Sequence, residues 1–184
     1  MKEKSLFEVS YLMLPGATEE EIATFCEEWH KPLTAEELAE ITGRQRNPFP
    51  INDPLYAVYR PFDPALWIIP DFPLPAAYLN FLRYSNGGEF LNGKRYFQFF
   101  STEELRAMML AYEFPEYMPG GVPFAMDGNG HHYIWDMRTP RTDHAYPILA
   151  AHSGNLGYED AKWIADSFET LCQGTVSVED ILYG

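Results

Sequence analysis

Apolar residues recur every three to four positions in several short windows, and most of these windows carry their own start signal. Ile22, Phe25, Cys26 and Trp29 share one helical face behind Thr18 and Glu21, a capping box. Thr34 and Glu37 repeat the device ahead of Leu38 and Ile41, with Pro32 as the break between the two helices and Gly43 as the stop. Tyr78, Phe81 and Leu82 mark a third helix, opened by Leu74-Pro75 and closed by Asn86-Gly87-Gly88, residues that tolerate positive φ past a last turn. Ser101 and Glu104 cap a fourth, with Leu105, Met108, Met109 and Tyr112 on its buried side and Pro115, Pro119 and Gly120-Gly121 ending it. Residues Glu159–Cys172 read as a fifth helix burying Trp163, Ile164, Phe168 and Leu171, stopped by Gly174, and Val178–Tyr183 adds a last turn.

Between these windows the period drops to two. Glu89–Leu91, an Asn92-Gly93 turn and Lys94–Phe100 form a hairpin. Val122–Met126, a turn at Asp127-Gly128-Asn129-Gly130 and His131–Met137 form another, in which His131, Tyr133, Trp135 and Met137 face one way and His132, Ile134 and Asp136 the other. Tyr146–Ala151 is a further strand. Leu6–Leu14 is too apolar for a free tail and is expected to dock as a strand or helix. Residues 47–75 hold eight prolines interleaved with Phe49, Leu55, Tyr56, Val58, Tyr59, Phe62, Leu66, Trp67, Ile68 and Ile69. They predict an ordered, mostly extended arm with one strand at Leu55–Tyr59. The fold class is α+β, a central, mostly antiparallel sheet flanked by helices. A chain of 184 residues suits one domain over 1–184: a helical segment to 46, the arm at 47–73, and a core at 74–174.

Composition narrows the function. A hydrophobic content of 46%, with 16% aromatic residues, excludes a disordered chain. No apolar run reaches the ~20 residues of a membrane helix, and the Met1-Lys2-Glu3-Lys4 start leads into no signal-like core, so a cytoplasmic protein is expected. Cys26 and Cys172 lack CxxC spacing and read as reduced thiols used as small apolar residues. The net charge of −14 is concentrated at the ends, in residues 1–46 and 127–184. Such a chain repels phosphate backbones and attracts basic proteins.

Candidate chemistry is sparse. Asp127-Gly128-Asn129-Gly130-His131 opens like a calcium loop, but its sixth position is His132 and its twelfth Arg138, where Gly and Glu are required. His131 and His132 point to opposite faces of a strand, and Cys26 with His30 offers two ligands without a third. No nucleophile elbow and no phosphate-cradling glycine loop is present. Glu103-Glu104 and Glu159-Asp160 sit in first turns, where the helix dipole accounts for them. No catalytic residue, metal or cofactor is assigned.

Leu74-Pro75, Tyr78, Phe81-Leu82 and Asn86-Gly87-Gly88 together resemble the signature of the SUKH superfamily, the Smi/Knr-type domain. Phe99-Phe100-Ser101-Thr102-Glu103-Glu104-Leu105, Phe124-Ala125-Met126-Asp127-Gly128-Asn129-Gly130 and Ala165–Leu171 are similar to its later segments, in the same order. The arm departs from the family, whose first helix runs almost directly into Leu-Pro. The resemblance implies a non-catalytic module that binds another protein, in the bacterial branch an immunity protein neutralising a polymorphic toxin domain, often a nuclease. A basic partner fits the acidic balance, and Glu89, Tyr96, Asp127, Asn129, Tyr133 and Asp136 are the candidate contact residues, aromatic anchors ringed by acids. Two other readings stay open: a small-molecule-binding protein or hydrolase with a cleft between the 47–75 arm and the sheet, and a scaffold whose arm builds a homodimer.

Overall fold

The computed structural model describes residues 6–184, so the Met1–Lys4 start lies outside the described residues. Seven strands, β1 (Val9–Met13), β2 (Gly88–Asn92), β3 (Arg95–Phe99), β4 (Gly121–Met126), β5 (His131–Asp136), β6 (Ile148–His152) and β7 (Lys162–Ala165), lie side by side in chain order, every neighbour antiparallel. Helices α1 (Glu19–Glu28), α2 (Ala35–Arg44) and α3 (Ala76–Tyr84) intervene between β1 and β2. Helices α4 (Glu104–Ala111) and α5 (Phe114–Tyr117) lie between β3 and β4, and α6 (Phe168–Gln173) and α7 (Val178–Tyr183) close the chain. This is one α+β domain, as the alternation of periods predicts. No helix among the described residues is long and apolar enough to cross a membrane.

Local chemistry sets the helix starts. The Thr18 hydroxyl accepts from the Glu21 amide while the Glu21 carboxylate accepts from the Thr18 amide, and Thr34 with Glu37 repeats the exchange. Ser101 and Glu104 do the same ahead of α4. Past α3, Gly87 and Gly88 both take positive φ, and a Cβ on Gly88 would stand 2.4 Å from the Leu12 carbonyl oxygen of β1.

The sheet is covered on both faces. On one, Phe90, Phe97, Phe99, Tyr133 and Trp135 meet Phe7, Tyr78 and Phe81 of α3, and Phe168 of α6, in a continuous set of ring contacts. On the other, α4 and α5 cover β4 and β5, so all of β5 except Asp136 is buried rather than one side of it. Towards β1–β3 this second face is open, leaving Glu89 and Tyr96 half-buried and Gln98 exposed.

Four details differ from the sequence reading. Asn92 pairs with Arg95, so the hairpin turn is Gly93-Lys94; Gly93 takes the positive φ, and Asn92 instead donates to the Cys172 carbonyl. Residues 159–172 are not one helix: Lys162–Ala165 pairs with β6, and α6 begins only after Ser167, whose hydroxyl accepts from the Thr170 amide. Pairing with an open sheet edge prevails there over a helical period, and Trp163 is exposed instead of buried. The Tyr146–Ala151 strand begins at Ile148 and runs on to His152. Leu55–Tyr59 is a series of turns, not a strand. Asp53 accepts from the Leu55 amide, Pro54 fixes φ, and Asn47 closes the loop onto the Tyr56 carbonyl.

Candidate partner-binding surfaces

The six residues singled out from the sequence do not form one surface. Tyr133 is fully buried, its hydroxyl donating to the Tyr96 carbonyl at 2.9 Å. Asp127 is buried inside its own turn: Oδ1 accepts from the Asn129 and His131 amides, and Oδ2 lies 2.7 Å from His131 Nδ1. Strand alternation and a turn motif look alike in sequence whether or not their side chains are enclosed, and here Tyr133 is buried in the core and Asp127 within its own turn. Asp136 holds Arg138 bidentately, at 2.7 and 2.8 Å, and that guanidinium lies over the Tyr158 ring. The arginine holds the Asp136 carboxyl below its ordinary range.

Glu89 and Tyr96 do come together on the open part of the sheet. The Tyr96 hydroxyl donates to Glu89 Oε2 at 2.6 Å, and burial beside that carboxylate pushes the phenol up to about 12. Tyr11 of β1 lies 6.1 Å away, ring to ring, and Gly128 borders the Tyr96 ring, which brings the exposed Asn129 turn to the same region.

Two recesses involve histidines. His131, oriented by Asp127, presents Nε2 to the Tyr183 hydroxyl of α7 at 3.4 Å. His152, whose Nδ1 accepts from the Gly154 amide, borders a neighbouring recess of about 210 Å³ with Asn155, Asp160 and Tyr183. An Asp-oriented imidazole is the geometry of a general base, but the group it meets is a phenol that ties α7 to the sheet. His30 Nδ1 lies 3.2 Å from Asp71 beside a recess of about 270 Å³ lined by Cys26, Trp29 and Leu79. Both cysteines are free thiols, and burial pushes Cys172 up. Among the described residues no group of three or more His, Cys, Asp and Glu side chains is placed to hold a metal ion. The arm rests on helices rather than the sheet: Gln45 beside α2 donates to the Phe62 carbonyl, and Trp67 to Glu116 of α5. The recess at its end therefore opens towards α1 and α3, not towards a cleft over the strands.

A larger recess, about 410 Å³, lies between α1 and the start of α4. Its floor is Phe25 and Trp29, and Glu20, Glu21, Glu28 and Glu103 rim it. Arg106, the one cation in its lining, is already committed. It grips Glu37 at 2.7 and 2.8 Å and donates to the Trp29 and Lys31 carbonyls, which joins α4 to the α1–α2 corner. Glu21 belongs to the capping box and Glu28 pairs with Lys31, whereas Glu20 and Glu103 form no ion pair among the described residues. Sequence reasoning passed over this site because the helix dipole accounts for first-turn acids such as Glu103-Glu104. The usable signal was that two such runs, at 19–21 and 103–104, each open a helix with an apolar face.

An antiparallel seven-stranded sheet with helices on both faces defines a single α+β domain, and an acidic, aromatic-floored groove lies on its surface. The chain belongs to the SMI1 / KNR4 family (SUKH-1), whose family model matches residues 70–174, more than half of the chain and all of α3 to α6. Comparison with curated proteins gives no match. Strand β1, helices α1 and α2 and most of the arm lie outside the matched segment.

Proposed function

We propose that this chain is a non-catalytic protein-binding domain of the immunity type, which binds and neutralises a cognate cationic toxin domain such as a nuclease. The observation that carries this reading is the α1–α4 groove, where an apolar floor meets a rim of carboxylates, two of which, Glu20 and Glu103, form no ion pair among the described residues. Basic side chains that grip phosphate in a nuclease would find carboxylates in their place, and the field would speed the encounter. The open sheet around Tyr96 and Glu89 supplies a second, flatter contact area. The family supports the class of partner, and the net charge of −14 supports its sign.

Co-expression with toxin domains encoded in neighbouring genes, scored for growth rescue, tests this. Rescue by the wild-type chain and its loss in a Glu20→Lys, Glu103→Lys double variant that still folds is the expected result. Rescue that survives the double variant moves the interface elsewhere. Absence of rescue and of any association with every neighbouring toxin sinks the function.

A further inference from the structure

The arm displays more apolar surface than a stable monomer usually leaves in water. Ile51, Leu55, Tyr56, Val58, Leu66 and Ile68 are each between 40 and 82% exposed, and the second half of the segment carrying them is anchored to the body. Phe62 stacks on Trp67 with ring centroids 5.4 Å apart, the Trp67 indole donates to Glu116 at 2.8 Å, and Ile69 is buried. Trp67 and Ile69 turn inward while Leu66 and Ile68 turn outward, and Ile51, Leu55, Tyr56 and Val58 stand on turns closed by their own hydrogen bonds. Most of the arm precedes the family-matched segment.

We infer that a second copy of this chain covers the arm, forming a two-fold dimer. The area agrees: the six side chains expose roughly 800 Å² in all, about what each partner contributes to a standard stable interface. The charges agree as well. Arg60 donates only to carbonyls of its own turn, Ala57 and Tyr59, and makes no ion pair among the described residues. Asp53 and Asp63 each use one carboxylate oxygen on a local amide, of Leu55 and of Ala65, and are likewise without an ion pair among the described residues. A cationic partner would meet an arginine on the same arm as the two acids. A second copy, rotated about a two-fold axis, can set each Arg60 against the other copy's carboxylates, twice over. The rest of the surface opposes the pairing, since each copy carries −14, and salt screens that repulsion.

Sedimentation velocity on the full chain, at concentrations up to roughly 100 μM and salt from about 0.05 to 0.5 M, tests the inference. The expected species has twice the 21.2 kDa chain mass and gains population as salt rises, the opposite of the salt response of a complex with a cationic toxin. A Val58→Glu, Ile68→Glu variant with an unchanged circular dichroism spectrum should sediment as a monomer. Arg60→Asp chains alone, and Asp53→Arg, Asp63→Arg chains alone, should dimerise at least about tenfold more weakly. Mixed together they should recover a heterodimer, because positions 53, 60 and 63 are then all acidic in one copy and all basic in the other. A wild-type monomer over the whole range, a dimer untouched by Val58→Glu, Ile68→Glu, or failure of the mixture to pair would each overturn the proposal.

Discussion

Asp127 and His131, four positions apart across the β4–β5 turn, are joined by a 2.7 Å hydrogen bond with both side chains about 5% exposed. The same carboxylate accepts the Asn129 and His131 amides, so one side chain satisfies three donors within one turn. Asp127→Ala would leave those donors unpaired, and a loss of about 3 kcal/mol is expected. Thermal unfolding should register it as a fall of roughly 6–12 °C in Tm. Asp127→Asn keeps the oxygen that serves the amides but turns an NH₂ towards Nδ1, so the imidazole proton should move to Nε2, at a cost of about 1 kcal/mol. Nitrogen chemical shifts of the His131 ring would read that tautomer directly.

His132, on the opposite side of the strand, is buried among the rings of Phe100, Tyr112 and Phe114, and neither ring nitrogen has a hydrogen-bond partner among the described residues. Burial pulls its pKa down to about 4, opposed by Asp127 and assisted by His131 and His152. The folded value lies below the unfolded one of about 6.5, so the unfolded chain binds more protons between these limits. The stabilisation from keeping His132 neutral is complete above pH 6.5 and is lost as pH falls towards 4, by about 3 kcal/mol in total. Urea titrations from pH 7.5 to 4 should show this decline. His132→Phe, which puts an apolar ring among apolar rings, should flatten it.

Arg106 joins the start of α4 to Glu37 and to carbonyls at the end of α1, through a side chain only 17% exposed. Arg106→Ala removes all of these bonds and leaves Glu37, whose carboxyl the arginine holds below its ordinary range, without its cation. A loss of about 3 kcal/mol in chemical denaturation is expected. Arg106→Lys, which cannot span both carboxylate oxygens and the carbonyls at once, should recover less than half of it.

Gly88 combines a φ of 117° with backbone contact against Leu12. Gly88→Ala should cost about 3 kcal/mol or more, since the methyl group collides with a carbonyl that cannot move without unpairing β1. Hydrogen exchange should show the β1 amides losing protection before those of β4 and β5.

Much of this fold was legible because its signals are local. The three capping boxes, the glycines after α3 and the alternating strands each depend on residues a few positions apart, and the family match rests on the same stretch. Register and edges were less legible. Whether Asn92 or Gly93 opens the hairpin turn depends on Asn92 finding the Cys172 carbonyl eighty residues away, and Lys162–Ala165 is a strand because β6 offers an edge to pair with.

The amino-acid order by itself determined the α+β class, the capped starts of α1, α2 and α4 and the excess of carboxylates, since propensity, caps and charge are properties of short segments. Only the tertiary structure decided which side chains face water. Tyr133 went inside because it packs on Phe97 and Phe124 of the neighbouring strands, and Asp127 because its own turn folds around it. The acids of α1 and α4 became one groove because Arg106 draws those two helices together, and burial is a property of neighbours that no single segment carries.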